Sequence, residues 1–155
     1  MLKSDPQMIQ HLNTVLGNEL VAINQYFLHS KMLKNWGINK LAAVEYEESI
    51  DELKHADKLA DRILYLNGLP NFQSLGKLFI GQDVKEILEC DLKTEHKAHG
   101  DLIAGIKYAE SIGDYPTRML LEEIMQSEEE HIDFLETSLG LIDKIGIENF
   151  IQSNI

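Results

Sequence analysis

A chain of 155 residues, 44% of them hydrophobic, holds enough apolar material for one domain with a real core and too little for two. Its 26 acidic and 14 basic residues leave a formal charge of −12, which argues against nucleic acid or anionic lipid as a ligand and favours cations. The single cysteine, Cys90, excludes an intramolecular disulfide. The opening Met1-Leu2-Lys3-Ser4-Asp5-Pro6 has neither the apolar region nor the cleavage site of a secretory signal, and no apolar run reaches membrane-spanning length, so the expected location is the cytoplasm.

Proline and glycine divide the sequence into four long stretches and a short tail, and none of the long stretches alternates with the period of a strand. An all-α fold is expected, with residues 1–155 as one domain. The first helix opens at Ser4-Asp5-Pro6 and runs to Trp36, where Gly37 supplies a left-handed stop; Ile9, Leu12, Leu16, Ile23 and Phe27 recur at helical spacing. Asn39 is placed to cap the second helix, which carries Leu41, Val44, Ile50, Leu59 and Ile63 and ends at Asn67-Gly68. Asp83 and Glu86 make a capping-box variant at the start of a third helix reaching Gly113. Asp114-Tyr115-Pro116 opens a fourth, ending near Gly146, and residues 147–155 form an apolar tail suited to a short fifth helix.

Short turns at Gly37 and Gly113 force two antiparallel helical hairpins. The link between the second and third helices, roughly residues 69 to 82, is longer. A helix near 28 residues is about 42 Å long, and a link of about 14 extended residues spans up to ~46–50 Å, enough to return along the bundle. One long crossover between two hairpins is the ferritin-like connectivity.

The second helix contains Glu52-Leu53-Lys54-His55 and the fourth Glu128-Glu129-Glu130-His131, each setting a carboxylate and an imidazole on one face. Either copy alone is weak evidence. However, Glu19 stands 33 residues before Glu52, and Glu95 stands 33 before Glu128, so the two halves repeat with a shift of 76. Each hairpin then supplies one lone glutamate and one Glu-x-x-His, the ligand set of di-iron and di-manganese carboxylate bundles. Glu19 lies between Leu16 and Ile23 on the apolar stripe, where an unpaired carboxylate is heavily penalised. Four carboxylates neutralise two divalent cations. Oxygen and nitrogen donors suit iron, manganese or zinc, and iron is the choice for oxygen chemistry. By symmetry Glu19 and His55 are assigned to one ion, Glu95 and His131 to the other, and Glu52 and Glu128 bridge.

His99 has no counterpart at the matching offset from Glu19, His96 follows Glu95 directly and points elsewhere, and His11 and His29 have no ligand partner at helical spacing, so all four are expected at the surface. Tyr26 lies seven residues after Glu19, on the metal-facing side, as a hydrogen-bonding residue, an electron donor or a plain core tyrosine. Glu47 and Asp51, four apart off the core face, read as a solvated acidic pair or an auxiliary cation site.

Residues 16–29, Leu16-Gly17-Asn18-Glu19-Leu20-Val21-Ala22-Ile23-Asn24-Gln25-Tyr26-Phe27-Leu28-His29, together with Glu48-Ser49-Ile50-Asp51-Glu52, Asn35-Trp36-Gly37 and Glu129-Glu130-His131-Ile132-Asp133, resemble bacterioferritin, and the likeness covers essentially the whole chain. The resemblance implies a shell of twenty-four subunits in which each bundle oxidises Fe(II) with O2 or peroxide and the ferric product is stored inside. It implies two iron ions per subunit on the six residues above, Tyr26 beside them as an electron donor, and a ferredoxin-like reductant for iron release. It also implies a haem b held between subunits by a methionine directly after the glutamate of the second helix. Here that residue is Leu53, which has no sulfur lone pair. The usual haem is therefore not expected from this subunit alone, and a mixed shell with a haem-binding subunit is the alternative. A di-iron oxidase or peroxidase without storage is the rival reading; a rubrerythrin-type reductase is excluded by the lack of a Cys-x-x-Cys segment.

Overall fold

The computed structural model describes residues 3–155; the sequence readings that fall on Met1 and Leu2 lie outside them. Five helices follow in order: α1 (Pro6–Asn35), α2 (Asn39–Tyr65), α3 (Val84–Ser111), α4 (Tyr115–Ile145) and α5 (Ile147–Gln152). No strand interrupts them among the described residues.

Local chemistry sets most of the boundaries. The Asp5 carboxylate accepts the Met8 N–H at 2.9 Å, satisfying a first-turn donor of α1, and Pro6 fills a position that needs no N–H. Gly37 and Gly113 hold φ of +82° and +73°, the left-handed turns that fold each hairpin. Asp83 accepts the Glu86 N–H at 2.9 Å, while the Glu86 carboxylate accepts from Gln82 at 2.9 Å, so the reciprocal box closes one residue early. At α4, Asp114 takes the Thr117 hydroxyl at 2.7 Å and the Arg62 guanidinium at 2.7 Å, tying the start of α4 to the end of α2.

Two expectations need correction. Asn39 is already helical and does not cap α2; Ile38 occupies that position, and the Asn154 carbonyl accepts the Lys40 N–H at 2.9 Å instead. The tail thus supplies the cap that the side chain was expected to make. Phe27 lies off the buried stripe, 45% exposed and beside the Tyr46 ring, because the stripe passes through Tyr26.

The core is in two blocks. Met8, Leu12, Leu16, Leu59, Ile63, Leu102, Leu121 and Ile124 fill one end; Leu33, Leu41, Ile87, Leu88, Leu135, Ile142 and Phe150 fill the other. This order makes α1 run parallel to α4 and antiparallel to α2 and α3, as one long crossover requires. On each long helix, buried polar residues lie between the two blocks: Glu19, Gln25 and His29 on α1, Glu45, Glu52 and His55 on α2, Asp91 and Glu95 on α3, Glu128 and His131 on α4. The crossover is pinned along α1 in the same direction. Asn13 binds Leu69 and Asn71, Gln25 accepts the Phe79 N–H at 3.0 Å, and His29 accepts the Gly81 N–H at 3.0 Å. No helix is long and apolar enough to cross a membrane.

Candidate metal centre

The polar belt places all six repeat-related residues inside the bundle. Glu19, Glu52, Glu95, Glu128 and His131 are 1–2% exposed and His55 9%. On one side, His55 Nδ1 lies 3.5 Å from Glu19 Oε2 and 3.5 Å from Glu52 Oε2. On the other, His131 Nδ1 lies 3.1 Å from Glu95 Oε1. Glu128 is buried close enough to Glu19 to feel its charge. Glu52 offers a donor atom to each side, grouping with Glu19 and His55 and also with His131 and Glu48.

Burial without countercharge shows in the electrostatics. The Glu128 carboxyl is pushed up to about 12, first by burial and then by the Glu19 and Glu95 charges beside it. Burial likewise raises Glu19. Burial resists charging of His55 and His131, yet the carboxylates at their side, Glu19 for the one and Glu95 for the other, leave both imidazoles more basic than usual. The Tyr26 phenol is fully buried, hydrogen-bonds Glu95 Oε1, and is raised well above its ordinary value by burial and by the Glu95 and Asp91 charges.

The donor set fits hard or borderline cations. Seven buried atoms of the six side chains have no hydrogen-bond partner: both Glu19 oxygens, Glu52 Oε2, His55 Nδ1, Glu95 Oε2, Glu128 Oε2 and His131 Nε2. Native cores seldom leave such atoms unsatisfied, and so many in one place point to a ligand that the side chains converge on.

Two features were not read from the sequence. Glu48, half-buried, brings Oε2 to 3.6 Å from His131 Nδ1 at the edge of the centre; it lies four residues before Glu52 on the same face of α2, but its repeat counterpart is Ile124. His29, expected at the surface, is fully buried, with Nδ1 2.9 Å from Asp91 Oδ1 and 3.5 Å from Glu45 Oε1. The stripe of α1 carries it inward, ten residues after Glu19. The other histidines fall nearer to expectation: His96 is exposed, His99 meets Glu129 at 2.9 Å on the outside, and His11 stacks on Tyr108. Glu47 is exposed and Asp51 half-buried, and among the described residues they form no cluster with a third donor. Leu53 points away from the centre, 52% exposed.

The profile of the ferritin-like domain matches residues 9–145. Bacterioferritin of Brucella melitensis biotype 1 is 47% identical over 153 residues, covering 99% of this chain and 95% of that protein. Bacterioferritin of Mycobacterium tuberculosis is 50% identical over 147 residues, covering 95% and 92%, and that of Rhodobacter capsulatus is 42% identical over 153 residues, covering 99% and 95%. With a bundle of this connectivity around a belt of converging carboxylates and imidazoles, the chain belongs to the ferritin-like family and, within it, to the bacterioferritins.

Proposed function

We propose that this iron-storage chain, acting over residues 1–155 as one di-iron domain in the cytoplasm, is a ferroxidase that binds two Fe(II) ions among Glu19, Glu52, His55, Glu95, Glu128 and His131. The observation that carries the reading is the convergence of these six side chains, buried and with seven unpartnered donor atoms. Glu19 and His55 hold one ion, Glu95 and His131 the other, and Glu52 and Glu128 lie between. Four carboxylates balance two divalent charges, so binding offsets the burial and the repulsion that make Glu128 keep a proton.

Dioxygen or peroxide accepts one electron from each Fe(II), and the protein's part is to hold the two ions together in a dry, charge-matched belt. Tyr26 fixes Glu95 through its phenol and stands within reach as an electron donor. The ferric product passes into the cavity of a 24-subunit shell, from which a ferredoxin-like reductant releases it. Leu53 offers no lone pair, so a shell of this chain alone holds no methionine-ligated haem, whereas a partner subunit carrying the methionine restores one in a mixed shell.

Replacement of Glu128 by Ala is expected to abolish rapid Fe(II) oxidation in stopped-flow absorbance while light scattering still reports the assembled particle. Unchanged oxidation kinetics would remove the assigned centre, and a particle no larger than a dimer would remove the storage shell.

A further inference from the structure

Behind the centre lies a second buried cluster, His29, Glu45 and Asp91, on three different helices and 0–1% exposed. We propose that Glu45 and Asp91 share a single proton, and that this proton is released when cations charge the neighbouring centre. The first half stands on local geometry alone; the second rests on the di-iron reading above.

The hydrogen-bond roles fix the charge of the imidazole. A backbone N–H only donates, and Gly81 directs its own at His29 Nε2, 3.0 Å away. Nε2 therefore carries a lone pair, and the ring's one proton sits on Nδ1, which donates to Asp91 Oδ1 at 2.9 Å. His29 is neutral. The same Asp91 oxygen receives the Gln25 amide at 2.9 Å, so two donors mark Asp91 as the ionised member. Glu45 Oε1 and Asp91 Oδ2 have no partner, and the donor atoms of the cluster lie within 4.8 Å of one another.

The charges that act most on Glu45 are all negative, Asp91 and Glu95 from α3 and Glu48 from its own helix. Tyr26 and His29 face it from α1, the crossover directs the Gly81 N–H at His29, and His131 of α4 acts on Asp91 and Glu48. Two ionised carboxylates in such a place would stand uncompensated, and one proton between them removes the conflict. Burial and the Asp91 charge accordingly push the Glu45 carboxyl well above the usual range. A cation is the poorer occupant, because His29 Nδ1 spends its proton on Asp91 and has no lone pair to give.

The centre is one helical turn away: Asp91 precedes Glu95 by four residues, and Glu48, three residues after Glu45, brings Oε2 to 3.6 Å from His131 Nδ1. Beyond burial and Asp91, the Glu48 and Glu95 charges strengthen the hold of Glu45 on its proton. Cations bound by Glu95 and its neighbours cancel that influence, so the O–H bond of Glu45 breaks, the proton leaves to solvent, and no atom is oxidised or reduced. Linkage makes the effect reciprocal: loss of the proton strengthens cation binding.

The test is difference infrared spectroscopy of the assembled, metal-free protein at neutral pH, wild type against Glu45→Gln, with Zn(II) as a redox-inert probe. The wild type is expected to show a carboxylic-acid carbonyl band that Glu45→Gln lacks, and two Zn(II) per subunit should diminish it. Glu45→Gln, which mimics the protonated acid and cannot release it, should bind Zn(II) more weakly by on the order of tenfold. Asp91→Asn serves as the second variant and should shift the band by changing its partner. No band difference between wild type and Glu45→Gln would overturn the shared proton. A band untouched by Zn(II) that is held at the centre would overturn the coupling. Loss of one bound Zn(II) in Glu45→Gln would overturn both in favour of a third metal site. If Zn(II) fails to bind at all while the band is present, the di-iron reading and the coupling fall and the shared proton stands.

Discussion

The two halves of the bundle repeat with a shift of 76, yet the places that flank the metal centre on either side are opposites. At one, His29, Glu45 and Asp91 form a buried polar cluster. Their counterparts at the other are Gly105, Leu121 and Val15, all buried and all without a polar side chain. The packing is nonetheless equivalent, since a Cβ on Gly105 would come 3.0 Å from Leu121 Cδ1, as His29 lies against Glu45. Tyr26 is paired in the same way with Leu102. Symmetry thus holds for the six proposed ligands and fails one layer out. One hairpin frame therefore accepts either a hydrogen-bonded polar layer or an apolar one, and the crossover, which donates the Gly81 N–H to His29, lies at the polar place.

Moving one place toward the other should be costly in a graded way. Leu121→Glu puts a carboxylate where no donor waits, and is expected to cost more than about 4 kcal/mol, read as loss of cooperative thermal unfolding. A modest loss would mean that the apolar place is already wet. Asp91→Val strands the His29 Nδ1–H and the Gln25 amide together, for an expected loss of about 3 kcal/mol in denaturant unfolding.

Between the two places, the centre itself should give the metal-free protein an unusual pH dependence. Glu128 and Glu19 hold protons in the fold that they release in the unfolded chain above the ordinary 4.5, and His55 and His131 are also more basic when folded. The folded state binds more protons, so its stability falls as pH rises from the carboxylate range to beyond neutrality. Bound divalent metal replaces those protons and should flatten the trend, as calorimetry with and without a chelator would show; a metal-free stability that rises over that range would contradict it. The smallest effect is Gly105→Ala. Helix propensity favours it by about 1 kcal/mol, while the tight approach to Leu121 opposes it, so the net change in unfolding free energy should stay within about 1 kcal/mol.

The helices, the crossover and the proximity of the six acidic and imidazole residues were legible because each left a local or periodic mark: caps, left-handed glycines and a doubled spacing. The polar cluster left no such mark. Its members come from three helices and have no repeat partners of their kind, so the spacing that found Glu19 and Glu95 passed over His29, Glu45 and Asp91. The signal that remained was the helical stripe: Asp91 is one turn before Glu95, Glu45 two turns before Glu52, and His29 continues the line through Glu19 and Tyr26. Glu48 was missed for the same reason. The Asn154 cap on α2 was beyond sequence reasoning, because it joins segments more than a hundred residues apart through a backbone carbonyl.

On the function proposed above, the symmetric layer, and not the asymmetric one behind it, binds iron. Anomalous diffraction at the iron edge from crystals loaded anaerobically with Fe(II) tests it directly. Two peaks per subunit are expected within the belt, one beside Glu19 and His55 and one beside Glu95 and His131. A belt without iron, or a peak enclosed by His29, Glu45 and Asp91, would contradict it.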